Sequence, residues 1–243
     1  MNRLQSELHR LYLLGEGLTG PSGDVRALVM ELARDADWDV LAKVWRGVQA
    51  DLQLPAPAIA VSGTDGLQLW FSLQDPVSAP RAAAFLAALS SRYLADVAPA
   101  RLRLMPSAAA PGDHAALVPA QQQATGNWSA FVAPDLAPIF ADTPWLDIQP
   151  GTEGQADLLA RLESIKPAAF DTALQRLAPA VAESAAQASG TRAAPRPAEP
   201  ASATMDIDPR RFLQQVLNDE TAPLALRIDA AKALLRDGPP VKP

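Results

Sequence analysis

The residues best suited to chemistry lie in a glycine-containing turn, Ser62-Gly63-Thr64-Asp65-Gly66, and in the segments around it. Glycine lets backbone N–H groups approach an anion closely, so a turn of this composition is typical of a phosphate-binding loop. Two later arginines alternate with apolar residues and are expected on a neighbouring strand, where they would add positive charge. The predicted phosphate-binding residues are Ser62, Gly63, Gly66, Gln68, Arg101 and Arg103.

A second kind of chemistry is a divalent metal site, for which Glu31 is the candidate ligand. Carboxylates at alternate positions of one strand point to the same face and can hold Mg²⁺ or Mn²⁺ for phosphoryl transfer. The alternate position after Glu31 is Ala33, so the pair is incomplete. Asp35, Asp37 and Asp39 follow, and their place before a helical pattern favours helix capping. We therefore predict no catalytic residue.

Composition excludes several classes of site. The chain has no cysteine and two histidines, His9 and His114. Thiolate zinc sites, disulfides and cysteine nucleophiles are excluded, and few bases are present to activate a serine. The 243 residues carry 27 acidic and 21 basic side chains, which gives a formal net charge of −6. Contact with a phosphate backbone should therefore be local rather than spread over the surface.

Hydrophobic periodicity predicts the elements that position these residues. The predicted strands cover 25–32, 58–61, 67–73 and 101–105, and the predicted helices between them cover 38–52 and 80–94. The turn that joins 58–61 to 67–73 is typical of an antiparallel hairpin. We predict an α/β (α+β) fold with a largely antiparallel sheet and helices packed on one face.

Weaker patterns complete residues 1–182, which we predict to form one domain. The remaining predictions are helices over 2–14, 154–165 and 170–178, and short strands over 115–119 and 128–132. A loop is predicted at 106–114. Asp75-Pro76 is expected to end the strand 67–73, because proline cannot donate a backbone hydrogen bond.

The order of elements over about residues 24–106 resembles the archaeo-eukaryotic primase superfamily. This superfamily includes bacterial primase-polymerases and the polymerase domains of bacterial repair ligases. Its members carry a metal-binding carboxylate pair on an early strand and a Ser-Gly-x-Gly-x-His turn that holds nucleotide phosphate. Ser62, Gly63 and Gly66 match that turn, and residues 69–73 match the strand that follows it.

The resemblance implies a degenerate site. Gln68 stands where the family's histidine would be, and Glu31 and Ala33 stand where its carboxylate pair would be. We therefore expect a catalytically inactive primase-like module that binds a nucleotide or single-stranded nucleic acid weakly. No cofactor is expected, since Mg²⁺ or Mn²⁺ would belong to an active site of this kind.

The C-terminal part of the chain has a different composition. Residues 183–204 contain no apolar side chain larger than alanine and are predicted to be a flexible linker. Residues 205–243 are predicted to form a helical hairpin, which looks like short helical segments of phage-packaging small subunits. A hairpin of this size buries little apolar surface by itself. Residues 205–238 are therefore expected to pack on a protein partner. The alternative function is therefore a non-enzymatic adaptor.

Targeting signals and membrane spans are not expected. The first residues are polar, and no apolar run approaches the length that crosses a bilayer. These features predict a soluble, cytoplasmic protein without membrane contact.

Overall fold

The computed structural model describes residues 2–33, 35–107 and 113–190, with side chains as far as residue 178. The helices are α1 Arg3–Leu11, α2 Trp38–Ala50, α3 Ala79–Tyr93, α4 Thr152–Ala160 and α5 Pro167–Gly190. The strands are β1 Asp24–Ala33, β2 Ala58–Val61, β3 Gly66–Ser78, β4 Leu102–Met105 and β5 Ala130–Val132. Short 3₁₀ turns cover Pro99–Arg101 and Ala137–Phe140.

The five strands form one sheet in the order β4-β1-β3-β2-β5, and every neighbouring pair is antiparallel. The predicted fold class, with its largely antiparallel sheet, is confirmed. The register places Glu31 of β1 opposite Gln68 of β3 on one side and opposite Arg103 of β4 on the other. Three of the candidate residues therefore form one row across the sheet.

Two apolar layers cover the sheet. The alternation of β1 and β3 sends Leu28, Met30, Leu69 and Phe71 into a core shared with α2, α3 and α5. This confirms that the helices predicted at 38–52 and 80–94 lie on one face. The opposite face carries a second core, built with α1 and α4, so the sheet has helices on both sides.

The start of α2 confirms the capping interpretation of the acidic residues after β1. The Asp37 carboxylate accepts hydrogen bonds from the backbone N–H groups of Asp39, at 2.8 Å, and Val40, at 3.4 Å. These bonds satisfy two of the donors that a helix leaves free at its first turn. Asp37 therefore positions α2 and is not part of a metal site.

The end of β3 differs from its prediction. The strand does not end at Asp75-Pro76 but runs on to Ser78. Its pairing with β1 shifts register beyond Ser72, and Pro76 lies inside that irregular stretch. A proline is tolerated there because the missing N–H removes no regular ladder bond.

The predicted strand at 115–119 is also wrong, because that segment is irregular. After β4, the next strand of the sheet is β5, which pairs with β2. The outer side of β5 has no room for another strand: the Gln155 side chain accepts from the N–H of Phe131, at 2.7 Å, and donates to its carbonyl oxygen, at 2.9 Å.

The bounds of α4 and α5 differ from their predictions. α4 ends at Ala160 rather than near residue 165, because Ile165 pairs with β3 instead. Its N–H donates to the Ser72 carbonyl at 2.8 Å, and its own carbonyl accepts from Gln74 N–H at 2.9 Å. α5 is longer than the predicted 170–178 and covers residues 183–190, the start of the predicted linker.

The rest of the predicted linker and the predicted hairpin at 205–243 lie outside the described residues, so both stay predictions. In the part of the chain that the structure describes, no helix is long and apolar enough to cross a bilayer.

Candidate functional site

Three predicted residues meet at the polar end of the α1/α4 face of the sheet. Arg103 Nη1 donates to Glu31 Oε1 at 2.6 Å. Gln68 Nε2 donates to Glu31 Oε2, also at 2.6 Å. Both carboxylate oxygens are therefore bonded, one to a cation and one to an amide.

The members of this cluster are buried to different degrees. Glu31 and Gln68 are 3% and 5% exposed, whereas the Arg103 side chain is 50% exposed. A buried carboxylate needs both a countercharge and hydrogen bonds to offset its lost hydration. Arg103 and Gln68 supply them, and the Arg103 side chain remains half exposed.

Trp70 completes the cluster, although sequence reasoning does not assign it to the site. The Trp70 Nε1–H donates to Gln68 Oε1 at 2.8 Å, which fixes the side-chain amide with its NH₂ group towards Glu31. The available signal is the two-residue spacing, because Gln68 and Trp70 alternate onto the same face of β3. Trp70 acts here as a positioning residue.

The glycine turn is packed and internally bonded. Ser62 Oγ accepts from the N–H groups of Thr64, at 3.1 Å, and Gly66, at 3.0 Å. The Gly63 N–H donates to the Pro144 carbonyl oxygen at 3.0 Å. These three N–H groups of the turn are thus engaged within the protein.

Acidic groups surround the exposed side of the turn. Asp65 Oδ1 lies 3.4 Å from Arg103 Nη1 and joins the turn to the cluster. Arg101 Nη2 donates to the Asp35 carbonyl oxygen at 2.7 Å. A shallow hollow of about 220 Å³, lined in part by Asp35, Asp65 and Asp142, lies beside the turn. The predicted arginines therefore flank an acidic hollow.

The residues present do not fit the divalent cation that the primase resemblance implies for Glu31. Both Glu31 oxygens already accept N–H donors, and the alternate strand position holds the buried Ala33. Over residues 2–33, 35–107 and 113–190, no group of three His, Asp or Glu side chains could hold a metal ion.

His114 is tied to the sheet rather than to the cluster. Ala115 N–H donates to His114 Nδ1 at 2.8 Å, so Nε2 carries the proton and donates to the Ala27 carbonyl at 2.9 Å. Burial lowers the pKa of His114, and the bond to Ala27 opposes that shift in part. The neutral ring is the form that satisfies both contacts.

Comparison with known proteins adds one structural likeness. No family model matches the chain, and no curated protein matches it. Among solved structures, the chain is similar to the polymerase domain of Ligase D from Mycobacterium tuberculosis in complex with DNA, with a TM-score of 0.36 and 19% identity. The similarity covers 70% of this chain and 56% of that one, so the chain spans little more than half of that structure.

Proposed function

We propose that this chain is a catalytically inactive, primase-like module that binds the phosphate groups of a nucleotide or of single-stranded nucleic acid through Arg103. The observation that carries the proposal is the Glu31–Arg103 ion pair, in which a buried carboxylate holds an arginine whose side chain is half exposed. An arginine held in this way loses little conformational freedom when it meets a ligand.

Arg103 has donors left for a ligand. Its bonds to Glu31 and Asp65 both use Nη1. A guanidinium carries five N–H donors in a planar fork that suits phosphate oxygens, so the Nε and Nη2 groups are not used by these bonds. Arg101 lies two residues away, immediately before β4, and adds a second positive charge to this edge of the sheet.

Affinity should be low and strongly salt-dependent. The chain carries a net charge of −6, and the Asp65 side chain, 41% exposed, lies next to Arg103. With two phosphate contacts, the logarithm of the binding constant for a single strand should fall with the logarithm of salt concentration with a slope of about −1.4.

The same contacts support the absence of catalysis. Metal-assisted phosphoryl transfer needs carboxylate oxygens that are free to ligate a cation. Gln68, at the position of the family's histidine, cannot change its protonation state near neutral pH. Its amide is also held between Trp70 and Glu31.

The test of binding is a fluorescence-anisotropy titration of a labelled single-stranded oligonucleotide and of a labelled nucleoside triphosphate. Arg103→Gln should weaken binding about tenfold, because a charge-assisted hydrogen bond to phosphate is lost. Arg46→Gln is the matched control, since Arg46 is an exposed arginine on α2, against the opposite face of the sheet. Equal losses in the two folded variants would argue against a site at Arg103.

The test of inactivity is primer extension with Mg²⁺ or Mn²⁺. The wild-type chain should incorporate no labelled nucleotide. Incorporation by the wild type that disappears in Glu31→Gln would show that the carboxylate is catalytic after all.

A second candidate, the non-enzymatic adaptor, is favoured by a different observation. Leu136, Ile139 and Ile148 are 47%, 67% and 76% exposed and lie in the proline-rich segment after β5. Exposed apolar side chains mark a protein-binding surface where they form one contiguous patch. A well-folded wild-type chain that binds neither the oligonucleotide nor the triphosphate would favour the adaptor.

A further inference from the structure

The Glu31 carboxylate is closed on three sides by groups of the protein. Arg103 and Gln68 each hold one oxygen at 2.6 Å. On a third side lies the main chain of Gly66, where a Cβ atom would fall 2.9 Å from Glu31 Oε1. A magnesium ion needs carboxylate oxygen at about 2.0–2.1 Å in near-octahedral geometry, so the ion and its waters would compete with these neighbours for the space around both oxygens.

Moving the Gln68 amide away from Glu31 is energetically unfavourable. Turning its amide would release Glu31 Oε2, but it would also bring the Gln68 NH₂ group against Trp70 Nε1–H. Both groups are donors, and Trp70 is 1% exposed, so neither would find water there. A buried donor without an acceptor is strongly unfavourable.

Arg103 occupies the place of a cation between two carboxylates. Its Nη1 contacts Glu31 Oε1 and lies 3.4 Å from Asp65 Oδ1. Two acids that flank one positive centre are the arrangement in which a divalent ion is usually held. Here the positive centre is a side chain of the protein, and a second cation beside it would be repelled.

We infer that the Arg103 guanidinium takes the place of a divalent cation at Glu31, so that the site receives a phosphate group without any metal ion. The ligand in this inference rests on the proposed function, whereas the exclusion of metal rests on the Glu31 contacts alone. The site would bind phosphate monoesters and diesters equally well in chelator and in magnesium.

The first measurement is calorimetric titration of Mn²⁺ alone into the wild-type chain and Glu31→Gln. The two should give the same heats, because Arg103 and Gln68 each hold one oxygen of Glu31 and Arg103 supplies the positive charge. A single Mn²⁺ site that is present in the wild type and lost in Glu31→Gln would overturn the inference.

The second measurement compares oligonucleotide binding with EDTA and with Mg²⁺ at matched ionic strength. The dissociation constant should be the same in both, and Arg103→Gln should raise it about tenfold in both. Loss of wild-type binding in EDTA would overturn the inference. No binding in either buffer would overturn the proposed function, and the Mn²⁺ titration would still decide whether Glu31 holds a metal.

Variants at Arg103 need a safeguard, because a buried carboxylate without its partner weakens the fold. Arg103→Lys keeps the positive charge but not the planar fork, so it should fold and retain metal-independent binding at reduced affinity. Binding by Arg103→Lys that becomes dependent on Mg²⁺ would contradict the inference. Thermal unfolding and circular dichroism check that each variant is folded.

Discussion

The Glu31 side chain packs directly against the main chain of Gly66. A Cβ atom at Gly66 would fall 2.8 Å from Glu31 Cγ and 2.9 Å from Glu31 Oε1. The glycine is therefore needed at this position for the close approach of a buried acid. That acid cannot move aside freely, because Arg103 and Gln68 hold both of its oxygens.

Gly66→Ala should lower the free energy of unfolding by about 1–3 kcal/mol, the usual cost of overpacking a close contact. Urea denaturation measures it. Gly154→Ala is the matched control: Gly154 lies in α4, and nothing lies within 4 Å of a Cβ atom built on it. This control should raise stability by roughly 0.5–1 kcal/mol, because alanine is the better helix residue. Equal effects of the two changes would contradict the close packing on Glu31.

Tyr12→Phe should stabilise the chain by about 1 kcal/mol, because its buried hydroxyl has no hydrogen-bond partner among the described residues. The ring contacts would remain, with centroids 5.3 Å from Trp70 and 6.1 Å from Phe131. Tyr93→Phe is the control, since that hydroxyl donates to Asp51 at 3.0 Å. It should be neutral or destabilising. A loss of stability in Tyr12→Phe as large as in the control would reveal a partner for the Tyr12 hydroxyl.

Stability should fall as the pH drops below about 6.5, in part because of His114. Burial lowers the pKa of His114 in the folded chain, so the unfolded chain takes up the proton first. The stabilisation by neutral His114 is complete above the pKa that this residue has in the unfolded chain. It is lost as the pH falls towards the pKa that His114 has in the folded chain. Protonation would also place a proton on Nδ1, facing the Ala115 N–H.

Urea titrations between about pH 5 and pH 8 check this. His114→Gln should flatten the pH dependence, whereas His9→Gln, which removes the other histidine, should leave it closer to that of the wild type. An unchanged slope in His114→Gln would exclude His114 as its source.

Much of the sheet is predictable because its signals are local. The alternation of β3 and the glycine turn before it place Gln68 beside the turn, and Asp37 caps α2 as its position predicts. The Glu31–Arg103 contact is different, because it joins residues 72 positions apart through the register of β4 on β1. Residue types alone do not give that register.

The glycine turn shows that residue type alone does not separate a ligand-binding turn from a packed one. Gly63 has φ +81°, which favours glycine, and a Cβ atom there would fall 2.8 Å from the Ser129 backbone nitrogen. Its freedom is used for packing and for a bond to Pro144, contacts that involve distant segments. A substitution at Gly63 would therefore report on folding before it reported on ligand binding.

The outer edge of β5 is bonded to a side chain of α4 rather than to another strand. Gln155 is 6% exposed, and its amide makes two hydrogen bonds to the main chain of Phe131. These are the bonds that another strand would make, so the side chain closes the edge of the sheet. Gln155→Ala should cost about 1–3 kcal/mol, because it leaves a buried N–H and a carbonyl without partners.

Gln155→Ala also removes the side chain that occupies this edge, so pairing between copies should increase, which sedimentation velocity would detect as concentration-dependent association. Gln155→Glu separates the two bonds. A carboxylate can accept from the Phe131 N–H but cannot donate to the Phe131 carbonyl. This variant should therefore lose stability while keeping one of the two hydrogen bonds to the edge. A Gln155→Ala chain that associates no more than the wild type and is equally stable would show that the edge is protected by the packing of α4 and not by this side chain.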